Sequence, residues 1–267
     1  MRRKIARHFT REYDLTIRKL MMEKDGSIEF AEWNNPLAPE VDIRQETVDF
    51  FRKFIKEGDL VIDIGTNIGD TTVPMGIAAG AAGMTLGFDP NPVVFKIVVK
   101  NSSLNKDKTN IVPYRYAVTA EEEEFYFVSS EASFANGGIS KTRKSRHGRF
   151  IYPEKVKGVN LMDFLIDKYD SWLSKLSFIK IDTEGYDKEI IKSISKLVDK
   201  YKPVLVAESF GKSSNEEKLE LYDLIKEHGY KIYYFSDFDS NAEIFELKER
   251  EDIIKWEKTI NIYSIPE

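Results

Sequence analysis

The sequence has no cysteine among its 267 residues, which excludes disulfides, thiolate metal sites and a cysteine nucleophile. It has only three histidines. No strong excess of one charge is present, since the formal net charge is -5, so no global field points to nucleic acid or to an anionic membrane. The start, MRRKIARHFTREYDL, is basic but lacks an apolar core segment, so no secretory signal is read there and a cytoplasmic location is expected. Long hydrophobic runs are also missing. Residues 71–88 carry no charge and approach the length of a membrane span, but Pro74, Gly76, Gly80, Gly83 and Gly87 interrupt them. They read as a buried helix, a turn and a buried strand. What remains is a chain with enough apolar content (42%) for a sizeable core and enough charge (32%) for a solvated surface.

Residues 1–40 are polar and basic and close on WNNPLAPE, a loop signature, so they are expected as an N-terminal extension before a domain of residues 41–267. DIRQETVDFFRKFIKEGD spaces its apolar residues as a helix, with Gly58 as a stop. LVIDI, MTLGFD, NIVPYRYAV, LSFIKID and KPVLVAES read as strands, with helical segments between them. The alternation predicts an α/β Rossmann-like three-layer sandwich with a mostly parallel sheet. The last two strands, YKIYYF and TINIYSI, read as an antiparallel hairpin at the sheet's edge. In such sheets ligands sit beyond the carboxyl ends of the strands, so the turns after Ile64, Phe88, Tyr116, Ile181 and Ala207 are where chemistry is expected.

The first of these turns, VIDIGTNIGDTT, is built on Gly65 and Gly69. It lacks the terminal lysine of a nucleotide triphosphate loop and has Asn67 where a dinucleotide fingerprint needs glycine. Asp63, just before the turn, would repel a pyrophosphate but suits a cationic amino group. A second acid, Asp89 in GFDPNP, follows Gly69 by about 20 residues, right for one helix and one strand, and can accept from both hydroxyls of a ribose. An ammonium-bearing nucleoside without phosphate, such as S-adenosylmethionine, fits these features better than NAD. In IKIDTEGYDKEII, Asp182 and Glu184 follow a buried strand, and Glu208 ends another. A carboxylate placed there can take the proton of an attacking hydroxyl. Divalent-cation binding by the same three acids and simple helix capping remain open beside that role. Lys180, two residues before Asp182, should share its face and neutralise it. SSEASFANGGISKTRKSRHGRF reads as a mobile loop followed by the basic residues Lys141, Arg143, Lys144, Arg146 and Arg149, with His147 among them. It is either a solvated loop or a flap that recognises an anionic acceptor.

With VIDIGTNIGDTT, GFDPNP, IKIDTEGYDKEII and PVLVAES in place, the chain resembles the class I methyltransferases, and among them the FkbM family, over roughly residues 42 to 235. The resemblance implies a seven-stranded sheet with an antiparallel edge strand, S-adenosylmethionine as methyl donor, and transfer to a hydroxyl oxygen of a sugar, glycan or nucleotide sugar. It implies that Asp63, Gly65, Asn67 and Gly69 line the donor site with Asp70, Thr71, Asn91 and Ala117, and that Asp89 holds the ribose. Asp182, Glu184 and Glu208 are the catalytic candidates, and no metal is expected. Where the family often has glutamate before PNP, this chain has Asp89, one methylene shorter. The alternatives are an RNA (ribose) methyltransferase and a non-catalytic donor-binding module of the same fold. Negative charge and the lack of an aromatic-basic platform speak against nucleic acid. The extension is expected to serve the acceptor site or a homodimer contact.

Overall fold

The computed structural model describes residues 1–38, 40–143, 145, 147–183 and 185–267. A short helix, α1 (Arg2–His8), leads into an antiparallel hairpin of β1 (Leu15–Met22) and β2 (Gly26–Trp33). β2 turns Ile28, Phe30 and Trp33 into an apolar cluster shared with Ile68, Val73 and Ile97, while most of β1 stays exposed. Helix α2 (Gln45–Arg52) forms within the amphipathic stretch and buries Val48, Phe50 and Phe51. Then β3 (Leu60–Ile64), α3 (Thr72–Ala79), β4 (Met84–Phe88), α4 (Phe95–Ser103) and β5 (Ile111–Tyr114) follow in the alternation the sequence predicts. The uncharged run thus splits into α3, buried throughout, and β4, buried beyond Met84. Among the described residues no helix is long and apolar enough to cross a membrane.

The stretch read as one strand, NIVPYRYAV, breaks at Arg115. Its first half is β5, and its second half is β6 (Tyr116–Val118), which belongs to another sheet. That sheet continues with β7 (Glu124–Ser129), β8 (Gly138–Ser140) and β9 (Phe150–Val159), in the order β6-β9-β7-β8. The segment expected as a mobile loop is packed instead: Ala132, Ser133, Phe134 and Ala135 are all buried. Phe134 clusters with Phe125, Phe127 and Val156, which outweighs the small polar character of its neighbours. The chain then returns through α5 (Leu161–Tyr169), β10 (Leu176–Ile181), α6 (Asp187–Ser193), α7 (Ser195–Tyr201), β11 (Val204–Ser209), α8 (Asn215–Glu227), β12 (Tyr230–Phe235), β13 (Ile244–Glu246) and β14 (Ile260–Pro266).

The main sheet has the order β13-β12-β14-β11-β10-β3-β4-β5. The pairs β5-β4, β4-β3, β3-β10 and β10-β11 are parallel. β14 runs antiparallel between β11 and β12. The expected antiparallel pairing of the last two long strands is present, with β14 on the inner side against β11, and the outermost place is taken by the three-residue β13, an eighth strand beyond the seven expected. Burial explains the order: β14 buries Ile260, Ile262, Tyr263 and Ser264, whereas all of β13 is exposed. Alternation along β3 sets the layers. Leu60, Ile62 and Ile64 pack with residues of α5, α6, α7 and α8, and Val61 packs with Phe50, Phe51 and Met75 of α2 and α3. The sheet therefore lies between two helical layers, with its carboxyl ends facing the second sheet.

Candidate functional site

The turn after β3 is built from residues that tolerate unusual backbone. Gly65, Asn67 and Gly69 have φ of 85, 47 and 94. At Gly65 there is a second constraint. A Cβ there would stand 1.9 Å from the carbonyl oxygen of Asp182, because β3 and β10 run side by side and the Asp182 N–H donates to the Ile64 carbonyl at 2.9 Å. The glycine of one motif is thus required by the backbone of the other. The turn is tied to β4 by the Gly65 N–H, which donates to the Phe88 carbonyl at 2.8 Å.

Asp89 joins two turns. One carboxylate oxygen accepts the Asn67 N–H at 2.7 Å and the other accepts the Asn91 N–H at 2.8 Å. Burial pushes its carboxyl up to about 7, against the pull of those two amides. Asn91 is held in turn by its own side-chain amide, which donates to the Phe134 carbonyl at 2.9 Å. The amide oxygen of Asn67 is buried without a hydrogen-bond partner.

These residues line a cavity of about 350 Å³ between the strand ends and the second sheet. Gly65, Asn67, Asp89, Asn91 and Ala117 line it, and so does Asp182. Asp63, Gly69, Asp70 and Thr71 do not. Asp63 is fully buried behind the turn, where it accepts from Thr72 Oγ1 at 2.6 Å and Thr71 Oγ1 at 3.3 Å and pairs with Lys180 Nζ at 3.3 Å. It braces the turn rather than facing the cavity. Lys180 also reaches Asp182 Oδ2 at 3.3 Å, as its position two residues earlier predicts. Burial alone would lower the Lys180 ammonium, but Asp63, Asp182 and Asp70 outweigh it and hold it raised. Asp70 is pushed up to about 6 by desolvation.

Glu208 does not share the cleft. Asp187, the first residue of α6, stands beside it, accepting the Glu208 N–H at 3.0 Å and the Thr183 hydroxyl at 2.9 Å. Glu208 instead borders a separate space of about 30 Å³ with Gly185 and Lys188. Glu184 lies outside the described residues. Among the described residues, no three histidine or acidic side chains gather to hold a metal ion. Of the basic run, Lys141 and His147 line the cavity, whereas Arg143 and Arg149 lie over the rings of Tyr126 and Phe150. Lys144 and Arg146 lie outside the described residues. Tyr116, Phe125 and Phe127 form an aromatic part of the cavity wall that local sequence does not mark, because it exists only once the second sheet assembles. Tyr186, ahead of α6, also lines the cavity.

Residues 63–232 match the family model of the methyltransferase FkbM domain. A curated relative, the hexuronic acid methyltransferase AglP of Haloferax volcanii, is 23% identical over 162 residues. That match is 61% of this chain and 61% of the relative, so the chain spans about three fifths of the length of the relative it matches. Among solved structures, the FkbM methyltransferase of Methylobacillus flagellatus aligns with a TM-score of 0.49 at 14% identity, over 79% of this chain and 44% of that one. An O-methyltransferase from Bacillus cereus in complex with SAH aligns with a TM-score of 0.45 at 11% identity, over 86% and 84%.

Proposed function

This chain belongs to the FkbM methyltransferase family, and we propose that it transfers the methyl group of S-adenosylmethionine to a hydroxyl oxygen of a sugar. The observation that carries the reading is Asp89, a buried carboxylate fastened by two backbone amides at the floor of the cavity. Each of its oxygens accepts one amide and keeps a lone pair for a ribose hydroxyl. The cavity is of small-molecule size, about 300–1,000 Å³ being usual. Asp89 and Asp182 stand in its wall, where a pyrophosphate would meet acidic groups. The unpartnered Asn67 oxygen is an acceptor for an ammonium group, the role the sequence assigns to Asp63. Ala117 gives an apolar surface for the base. When bound, the donor supplies an electrophilic sulfonium methyl.

The chain's own share of the chemistry is to exclude water, align the acceptor and take one proton. Asp182 is our candidate for the proton acceptor: it lines the cavity, and Lys180 reaches its carboxylate at 3.3 Å. Alignment of the hydroxyl with the methyl would supply much of the rate. The name of the Haloferax volcanii relative supports a sugar acceptor. We assign this work to residues 41–267, with residues 1–40 as a brace. The test is calorimetric titration with S-adenosylhomocysteine, with NAD as control. We expect binding by wild type, a loss of about a hundredfold or more in Asp89→Ala, and retained binding with lost sugar methylation in Asp182→Asn. Binding of NAD in place of the homocysteine compound would sink the reading.

A further inference from the structure

Helix α1 ends on carbonyls that a distant part of the chain completes. The last carbonyls of a helix have no partner within it. In α1 the Ile5 carbonyl accepts the Phe9 N–H at 2.9 Å, whereas the Ala6 and Arg7 carbonyls accept the N–H groups of Ser133 and Ala132, each at 3.1 Å. Ala6 is the buried residue of this helix. Arg3 Nε donates to the Pro36 carbonyl at 3.1 Å, so α1 is also tied to the loop after β2. Seven residues are too few for a stable helix in isolation, so α1 is ordered by what it packs on.

The segment that α1 meets leads directly into the cavity. Phe134, the next residue, has φ of 53, a left-handed backbone that a residue with a side chain keeps only where its surroundings fix it. Its own N–H donates to the Glu131 carbonyl at 3.1 Å, and its ring sits among Phe125, Phe127 and Val156. The two N–H groups just ahead of it are those given to α1. The Phe134 carbonyl then accepts the Asn91 side-chain amide at 2.9 Å, and the Asn91 N–H donates to the Asp89 carboxylate at 2.8 Å. Residues 135–138, which follow, line the cavity. An unbroken line of contacts therefore runs from the end of α1 to Asp89.

We propose, on the reading that Asp89 holds the ribose of S-adenosylmethionine, that α1 is a positioning element of the donor site. Its carbonyls fix Ala132 and Ser133, which hold Phe134 in its left-handed backbone and so aim the Phe134 carbonyl at Asn91. Asn91 in turn presents its N–H to Asp89. When α1 is displaced, Phe134 relaxes toward the ordinary backbone region, its carbonyl turns from Asn91, and Asp89 keeps only the Asn67 amide as a fixed partner. The extension thereby serves the donor side of the cavity, a role its sequence does not suggest.

The test is calorimetry with S-adenosylhomocysteine, together with amide hydrogen exchange, on the full chain. Ala6→Leu and Ala6→Asp enlarge or charge a fully buried position. Each should weaken binding about tenfold and speed exchange at the Ala132 and Ser133 amides. Ile5→Asp places the same charge at an exposed position of the helix, and Ala6→Ser nearly keeps the volume, so both should bind as wild type does. Coupling is reciprocal, so saturating S-adenosylhomocysteine should slow exchange at Ala132 and Ser133 in wild type, with no substitution at all. Faster exchange in the Ala6 variants with unchanged affinity would leave α1 a support of the fold alone and overturn the proposal. Exchange in wild type that ignores the ligand overturns it too, as does equal weakening in Ile5→Asp and Ala6→Asp. Failure of wild type to bind S-adenosylhomocysteine is a different result: it overturns the donor reading, and this proposal with it.

Discussion

Replacing Gly65 by alanine should cost about 3–4 kcal/mol, from two separable causes. The first is conformational: a φ of 85 costs an L-residue about 1–2 kcal/mol. The second is contact. The new methyl would sit 1.9 Å from the Asp182 carbonyl oxygen and 2.9 Å from its carbon. Non-bonded heavy atoms settle near 3.5 Å, so one backbone must move by about 1.5 Å. That movement weakens the hydrogen bonds from the Asp182 N–H to Ile64 and from the Gly65 N–H to Phe88, at about 1 kcal/mol each. Gly58 is the matched control. Its φ is 90, and a Cβ there meets nothing within 4 Å, so Gly58→Ala should show the conformational cost alone. Urea unfolding of the three proteins gives the two values, and on the proposed function titration with S-adenosylhomocysteine should show weakened binding in Gly65→Ala only. If the two variants lose the same stability, the proximity of Gly65 to Asp182 plays no part and the argument fails.

Lys180→Met should destabilise by about 3–5 kcal/mol, because Asp63 would stay buried without its cation; urea unfolding that shows less than about 1 kcal/mol would contradict this. Asp89 fixes the sign of a pH effect. Burial raises its folded carboxyl to about 7, while the unfolded value is near 3.9, so between these values the native state holds a proton the unfolded chain has lost. This group's contribution to stability therefore falls as pH rises from about 4 to 7 and levels off above. Asp70 and Asp187, both raised to about 6, add the same sign, so the check is the difference between wild type and Asp89→Asn, whose stability profile should be flatter across that window. Asn101→Ala should cost about 2–4 kcal/mol, since Asn101 accepts the Ala31 N–H at 2.7 Å and donates to the Ile68 carbonyl at 2.8 Å. Faster hydrogen exchange at the Ala31 amide would mark the loosened hairpin, and an unchanged rate would refute it.

The glycine-turn side of the cavity was legible because it depends on residues close in sequence. A short apolar strand, a turn needing glycine and an acid at the next strand's end are local signals, and Gly65, Asn67 and Asp89 do meet at one cavity. The acidic motif was legible only in part. Asp182 reaches the cavity, but Glu208, on the neighbouring strand end, borders another space, and Asp187 of α6 accepts its backbone N–H. Spacing alone has no means of seeing which space a strand end borders. Asp63 shows the same limit: its distance from the turn was right, yet Lys180, 117 residues away in the chain, occupies it.

Sequence by itself determined the alternation of buried strands and amphipathic helices, the glycine turn and the two acids at strand ends, because hydrophobic period and backbone tolerance act over a few residues. Tertiary structure alone decided the rest. It placed β14 between β11 and β12, raised a second sheet from β6, β7, β8 and β9, and packed Phe134 where the chain reads as a loose loop. These outcomes depend on which distant surfaces bury one another, and pairing between distant strands leaves no periodic mark in either strand. The cavity's second wall, with Tyr116, Lys141 and His147, exists only after that burial is complete.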